Sequence, residues 1–375
     1  MSSSLASSEA VMSQPPPRPR TSPLVIDTDI HERGALADLL PYLDEKWHKH
    51  IQQYHWQPET RNPYAVPSAA GLNRADSNLP DGRPGGSDLG LLRQHVFDDA
   101  GVTHGILVGR LNASGLEPGW TEFKTGLMSA YNDWQIDKWL NPESRLSGSI
   151  HVNVHDPAGA AREIERLGRH PRMAQVMIYI GSRALGDPAF HPIYDAAAAS
   201  GIPVGFHQSG NTPTTYGYHR YYIEWKTLVT QAFQSTLVSL IFNGVYDKFP
   251  TLKTIFVEGA FTWLPHIMSR ADQHLRQLHA EVPWVQRLPS DIIRDQVKFS
   301  TQPMEEMTAA EFLRYLEQMK SDELLCYSSD YPHWDFDSPT EALPAGLPDD
   351  ILNKVLFDNA KSFYGSRLPD SITES

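Results

Sequence analysis

Eight short, largely apolar runs are spread along the chain between Leu24 and Asp330. They read "LVID", "HGILVG", "SIHVNVH", "AQVMIYI", "IPVGFH", "LKTIFVE", "VKFST" and "ELLCYSSD". Within them apolar residues follow one another rather than alternating strictly with polar ones, which suits parallel strands buried on both faces. Segments with helical spacing separate several of the runs: "GLMSAYNDWQIDKWLN", "DPAGAAREIERLGR", "PIYDAAAASG" and "LVTQAFQSTLVSLIFNGVYDKFP". Strand–helix alternation carried to eight strands predicts the α/β class and a (β/α)8 TIM barrel. An open doubly wound sheet is the alternative, but no glycine-rich phosphate fingerprint follows the first run.

The same pattern sets the limits of the domain. Residues 1–23 are rich in Ser and Pro, lack an apolar stretch, and are expected to form a disordered tail. Residues 24–367 are expected to fold as one barrel domain, with 368–375 a short C-terminal tail. The Pro- and Gly-rich stretch from about 47 to 90 falls between the first two runs. In a barrel it becomes an elaborated loop over the mouth where such enzymes work. A loop of that length is hard to justify within one compact domain, so it is expected to reach a neighbouring copy in a homodimer.

Composition narrows the chemistry. The chain has 375 residues, 40% of them hydrophobic, and a net charge of -13. That balance argues against nucleic-acid and anionic-membrane partners. No run approaches the ~18 apolar residues of a membrane span. Cys326 is the one cysteine, so no intrachain disulfide forms, and a cytoplasmic location is expected.

Candidate chemistry sits where the runs end. The stretch "VIDTDIHERG" places Asp27, Asp29 and His31 two apart, on one face of a strand. His207 ends the fifth run, Glu258 the sixth and Asp330 the eighth. Two imidazoles and two carboxylates meeting at one point can form the shell of a divalent cation, with positions left open for water and substrate. Taken one at a time, each has a plain structural alternative. A lone His at a strand end is often just hydrogen-bonded, Asp27 can cap a turn, and Asp330 before Tyr331 and Pro332 can belong to an ordinary turn. Their shared placement favours the joint reading.

Four pieces carry a family resemblance that spans nearly the whole chain after the tail: "DTDIH", "LGDPAFHPIYDAAAASGIPVGFH", "NGVYDKFPTLKTIFVEGAFTWLP" and "SSDYPHWDFDSP". Together they resemble the amidohydrolase superfamily, and within it the amidohydrolase-related branch containing aminocarboxymuconate semialdehyde decarboxylase. The resemblance implies a metal-dependent barrel with Asp29, His31, His207 and Asp330 as ligands of one divalent ion, Zn2+ ahead of Mn2+. Asp29 stands where members commonly have His or Glu. Glu258 stands where many have a sixth-strand His that serves as an acid/base group. A glutamate takes that role if burial raises its pKa.

The resemblance implies non-oxidative decarboxylation of an aromatic or unsaturated carboxylic acid. The alternative is hydrolysis of an amide, lactone or activated C–C bond, with Asp330 moving the proton; a hydratase or a catalytically silent small-molecule-binding barrel are further readings. Arg183 closes the fourth run and is a candidate partner for a substrate carboxylate. His333 and Trp334, just after Asp330, are expected to wall the pocket. The tyrosines of "TYGYHRYYIEW" are candidates to line a flat pocket or a dimer contact. His155 is read as ending the third run beside a helix start, His266 as structural, and Trp134 and Trp139 as a packing face.

Overall fold

The computed structural model describes residues 24–56, 72–109, 119–208, 212–214, 217 and 219–373. Eight strands follow in chain order: β1 (Ile26–Ile30), β2 (His104–Leu107), β3 (Leu146–His151), β4 (Met173–Ile180), β5 (Val204–Gln208), β6 (Thr254–Val257), β7 (Val297–Ser300) and β8 (Leu325–Cys326). Each pairs in parallel with the next, in the order β1 to β8. The circle is completed by backbone hydrogen bonds from Thr28 N to Tyr327 O (3.0 Å), Asp330 N to Asp29 O (3.1 Å) and His31 N to Tyr331 O (2.7 Å). This is the (β/α)8 barrel that the alternation predicts.

Local chemistry explains where the helices begin and end. Asp156 accepts from Gly159 N at 2.9 Å and Pro157 opens the helix Pro157–Leu167, a standard start signal. His155 therefore lies in the turn before that helix, and β3 stops earlier, at His151. The helix His191–Ser200 ends at Gly201, which takes a left-handed φ of 60°. The long run "LVTQAFQSTLVSLIFNGVYDKFP" is broken at Gly244, whose φ of 73° separates Thr230–Phe242 from Val245–Lys248. Trp134 and Trp139 are buried with ring centroids 6.1 Å apart, a packing pair as their spacing implies.

Residues 368–373 are not a free tail. Phe363, Tyr364, Leu368 and Ile372 are buried against Ile26, Ala174 and Cys326, at the end of the barrel opposite the site. Tyr364 donates to Gln175 Oε1 at 2.9 Å inside the barrel. Apolar side chains at 368 and 372 cover a barrel end that would otherwise be wet, each worth about 1.5–3 kcal/mol when fully buried. Residues 1–23 lie outside the described residues.

The insert does return to the mouth. Asn73 bridges His333, Arg74 N donates to Pro332 O at 2.9 Å, and Trp334 N donates to Leu72 O at 2.9 Å. Arg33 N donates to Gly86 O at 2.7 Å. The second half of the insert thus seals this chain's own β1 and β8 exits; residues 57–71 lie outside the described residues. Gly86 has φ +82°, and a Cβ there would fall 2.4 Å from the His31 carbonyl oxygen. Gly86→Ala is expected to destabilise the fold by about 1–3 kcal/mol, the cost of a strained left-handed residue, in a guanidinium titration. An unchanged midpoint would show that this contact does not pin the strand end.

Candidate metal centre

Asp27 comes first in the β1 series. Its buried Oδ1 accepts from Asp29 N at 3.1 Å and from Ser329 N at 3.0 Å, fastening β1 to the segment after β8. Burial pushes its carboxyl up to about 7. Two residues on, both oxygens of Asp29 are buried with no hydrogen-bond partner. Two further on, His31 Nδ1 lies 2.7 Å from the Gly109 carbonyl, which also accepts from Tyr179 Oη at 2.9 Å. A carbonyl can only accept, so Nδ1 carries the proton and Nε2 is left as a donor atom for a cation. His207 repeats the arrangement: its Nδ1 bonds Gln208 O, and its Nε2 is buried without a hydrogen-bond partner.

These atoms converge. His31 Nε2 is 3.2 Å from Asp29 Oδ1 and 3.0 Å from Asp330 Oδ1. His207 Nε2 is 3.8 Å from Asp29 Oδ2. Asp29, His31 and His207 form one set able to hold a metal ion, and His31, Asp330 and His333 a second that shares His31. The electrostatics ask for a cation here. Burial pushes the Asp29 carboxyl up to about 6 against the pull of His31. His31 is held well above the ordinary histidine range because Asp29 and Asp330 outweigh its burial. A divalent ion would answer both demands with the ligands deprotonated. The orphaned buried Oδ and Nε2 atoms, and their mixed imidazole–carboxylate chemistry, fit such an ion.

Both strand-end carboxylates stand on unusual backbone. Glu258 has φ +60° and Asp330 φ +58°. Non-glycine residues pay about 1–3 kcal/mol for such a conformation, and they persist where the surroundings over-determine them. Here Glu258 N donates to Ser300 Oγ at 2.9 Å, and Asp330 N is bonded to Asp29 O.

Glu258 joins the centre from β6. Its Oε2 lies 3.3 Å from His207 Nε2 and accepts from Gln208 Nε2 at 2.7 Å. Its Oε1 meets Lys226 Nζ at 3.1 Å. Burial and Asp330 push its carboxyl up; Lys226, His207 and His333 pull it down, and the result is below the ordinary glutamate value. His333 Nδ1 lies 2.5 Å from Asp330 Oδ1, with its ring 4.7 Å from that of His31. Trp334 is partly exposed at the mouth and shares a hydrogen bond with Tyr222.

Arg183 is not brought to the cluster. It is exposed, and its guanidinium lies over the Phe190 ring at 4.5 Å. The cation that meets Glu258 is Lys226, which the strand pattern does not mark because it sits on the helix Tyr222–Leu228. His151 was also missed. As the last residue of β3 it is buried, both its nitrogens lack hydrogen-bond partners, and burial drives its pKa down to about 3. Where β3 ends would have pointed to it instead of His155. His266 is exposed on the helix Leu264–Leu278, away from the centre. Tyr216 and Tyr218 lie outside the described residues.

Fold and site together are those of a (β/α)8 barrel with a buried donor cluster able to hold a metal ion. The chain belongs to the amidohydrolase family, whose model matches residues 26–366. An amidohydrolase from Mycobacterium avium subsp. paratuberculosis K-10 is similar at TM-score 0.69 and 20% identity, over 92% of this chain and 100% of that one. The 5-carboxyvanillate decarboxylase of Sphingomonas paucimobilis is similar at TM-score 0.65 and 20% identity, over 92% and 99%. A dihydroxybenzoic acid decarboxylase from Polaromonas sp. JS666, with bound manganese and the inhibitor 2-nitroresorcinol, is similar at TM-score 0.63 and 15% identity, over 91% and 97%. A search of curated proteins finds no match. Among the described residues no helix is long and apolar enough to cross a membrane.

His207→Ala removes one donor without touching the barrel closure. The variant is expected to lose more divalent-ion affinity than the ~10–100-fold that an outer-shell partner typically carries. Elemental analysis beside a thermal melt checks this: full metal occupancy in a folded His207→Ala protein would remove His207 from the ligand set.

Proposed function

We propose that the protein is a metal-dependent carboxy-lyase acting on a small aromatic or unsaturated carboxylic acid. The observation that carries the reading is the buried donor cluster of Asp29, His31, His207 and Asp330, with the Glu258 carboxylate beside it. Two solved structures of similar fold are decarboxylases of aromatic acids, which supports the same chemistry. The ion, Zn2+ or Mn2+, would supply Lewis-acid charge to draw electrons from the substrate. Asp29, His31, His207 and Asp330 would hold it. Glu258 has its pKa lowered and is ionised at neutral pH, so the proton that it delivers is one that it first takes up from solvent. As the bond to carbon dioxide breaks, its electron pair stays on the substrate carbon, and Glu258 hands its proton to that carbon. Trp334 and Tyr222 provide a flat wall for the ring. His333 orients Asp330. Arg183 is not part of this account.

One observation favours hydrolysis as the second reading: an ionised Glu258 is ready to take a proton from an attacking water. A cytoplasmic homodimer belongs to the same proposal. The absence of a cysteine pair supports the compartment, and the exposed rings of Tyr54 and Trp120 support an interface.

Metal-loaded protein offered 5-carboxyvanillate, 2,6-dihydroxybenzoate and a panel of phenolic acids is expected to release carbon dioxide from at least one. Cleavage confined to amides or lactones would replace the lyase with a hydrolase. On whichever substrate reacts, Glu258→Gln is expected to keep metal and fold but lose at least ~100-fold in kcat, the lower end of what a positioned acid or base contributes. Near-normal kcat would make Glu258 a structural carboxylate.

A further inference from the structure

Lys226 carries a charge that the proposed chemistry does not use. Its ammonium bonds Glu258 Oε1 at 3.1 Å and Asp335 Oδ2 at 2.9 Å, and its side chain is only 20% exposed. Glu258 itself stands within reach of the ion site, since its Oε2 is 3.3 Å from His207 Nε2. A carboxylate that close to a divalent cation would ordinarily join its ligands. Here both oxygens already have donors, Gln208 on Oε2 and Lys226 on Oε1.

We propose that Lys226, together with Gln208, holds the Glu258 carboxylate off the metal and keeps it free to act on substrate. The proposal rests on the metal-centre reading above and makes Lys226 a positioning residue of that site. The backbone cannot do this job alone. Ser300 fixes the Glu258 amide, but the side-chain torsions still have to be set. Gln208 and Lys226 approach from different elements, the end of β5 and the helix Tyr222–Leu228, so the carboxylate is gripped from two sides. Asp335, in the loop after Asp330, holds the ammonium in turn. Removing the lysine leaves Glu258 with one donor and a nearby dication.

The test is a calorimetric titration of chelator-treated protein with Mn2+. It compares wild type, Lys226→Met, Lys226→Arg, Glu258→Gln and the Lys226→Met/Glu258→Gln double variant. Wild type is expected to bind one ion. Lys226→Met is expected to bind it roughly 5-fold more tightly, because the released carboxylate turns onto the ion; coupling of this size is usual for groups in contact. The gain is expected to vanish in the double variant, and Lys226→Arg to stay near wild type.

A Lys226→Met protein that binds no tighter overturns the clamp. So does a gain that survives in the double variant, since that is the bare effect of a missing charge. If Lys226→Met does not fold, Lys226→Gln puts the same question with a polar side chain. A wild-type chain that takes up no ion overturns the metal-centre reading and the clamp with it. A wild type that binds normally beside an unchanged Lys226→Met overturns the clamp alone.

Discussion

The seam between β1 and β8 is the constraint on which the rest depends. Barrel closure there is made by the three backbone bonds of Thr28, Asp330 and His31, and by Asp27, which accepts from amides on both sides. A buried carboxylate bonded to two backbone N–H groups is costly to disturb, since removing it leaves those donors unsatisfied. The same seam places Asp29, His31 and Asp330 within a few ångströms of one another. Folding and assembly of the centre are therefore one event at this point. The positive φ of Asp330 and the return of the insert onto Pro332 and His333 belong to that same closure.

Across the mouth, the balance of charge decides what the side chains can do. Asp29, Glu258, Asp330, Asp335 and Asp337 gather around the centre, with Lys226 among them. Burial alone would protonate such a cluster. Asp337 shows the effect, pushed up to about 6 by burial and by its acidic neighbours. Glu258 escapes it because Lys226 is in direct contact. That contact is why the glutamate at the end of β6 stays ionised rather than neutral.

Much of this was legible in the sequence, for a physical reason. Strands buried on both faces must be apolar throughout, so "IPVGFH" or "LKTIFVE" announces both the strand and the polar residue that ends it. The two-residue period of β1 puts Asp27, Asp29 and His31 on one side from sequence alone. Residues outside that grammar were lost. Lys226 lies on a helix of the β5 loop, among aromatic residues, where periodicity says nothing of reach. Arg183 ends a strand in sequence, but its chain turns outward and stacks on Phe190. His151 was overlooked because the third run reads as continuing to His155, whereas Asp156 and Pro157 start a helix and end the strand sooner. Burial of Leu368 and Ile372 depends on where the last helices fold back, which no local pattern encodes.

Anomalous diffraction from crystals grown without chelator, with data on both sides of the zinc and manganese absorption edges, tests the central claim most directly. The account predicts one peak per chain at ligand distance from His31 Nε2, His207 Nε2 and carboxylate oxygens of Asp29 and Asp330, with Glu258 outside the coordination sphere and still bonded to Lys226. A barrel mouth with no anomalous peak, or a peak ligated by Glu258 in place of Asp330, would contradict it.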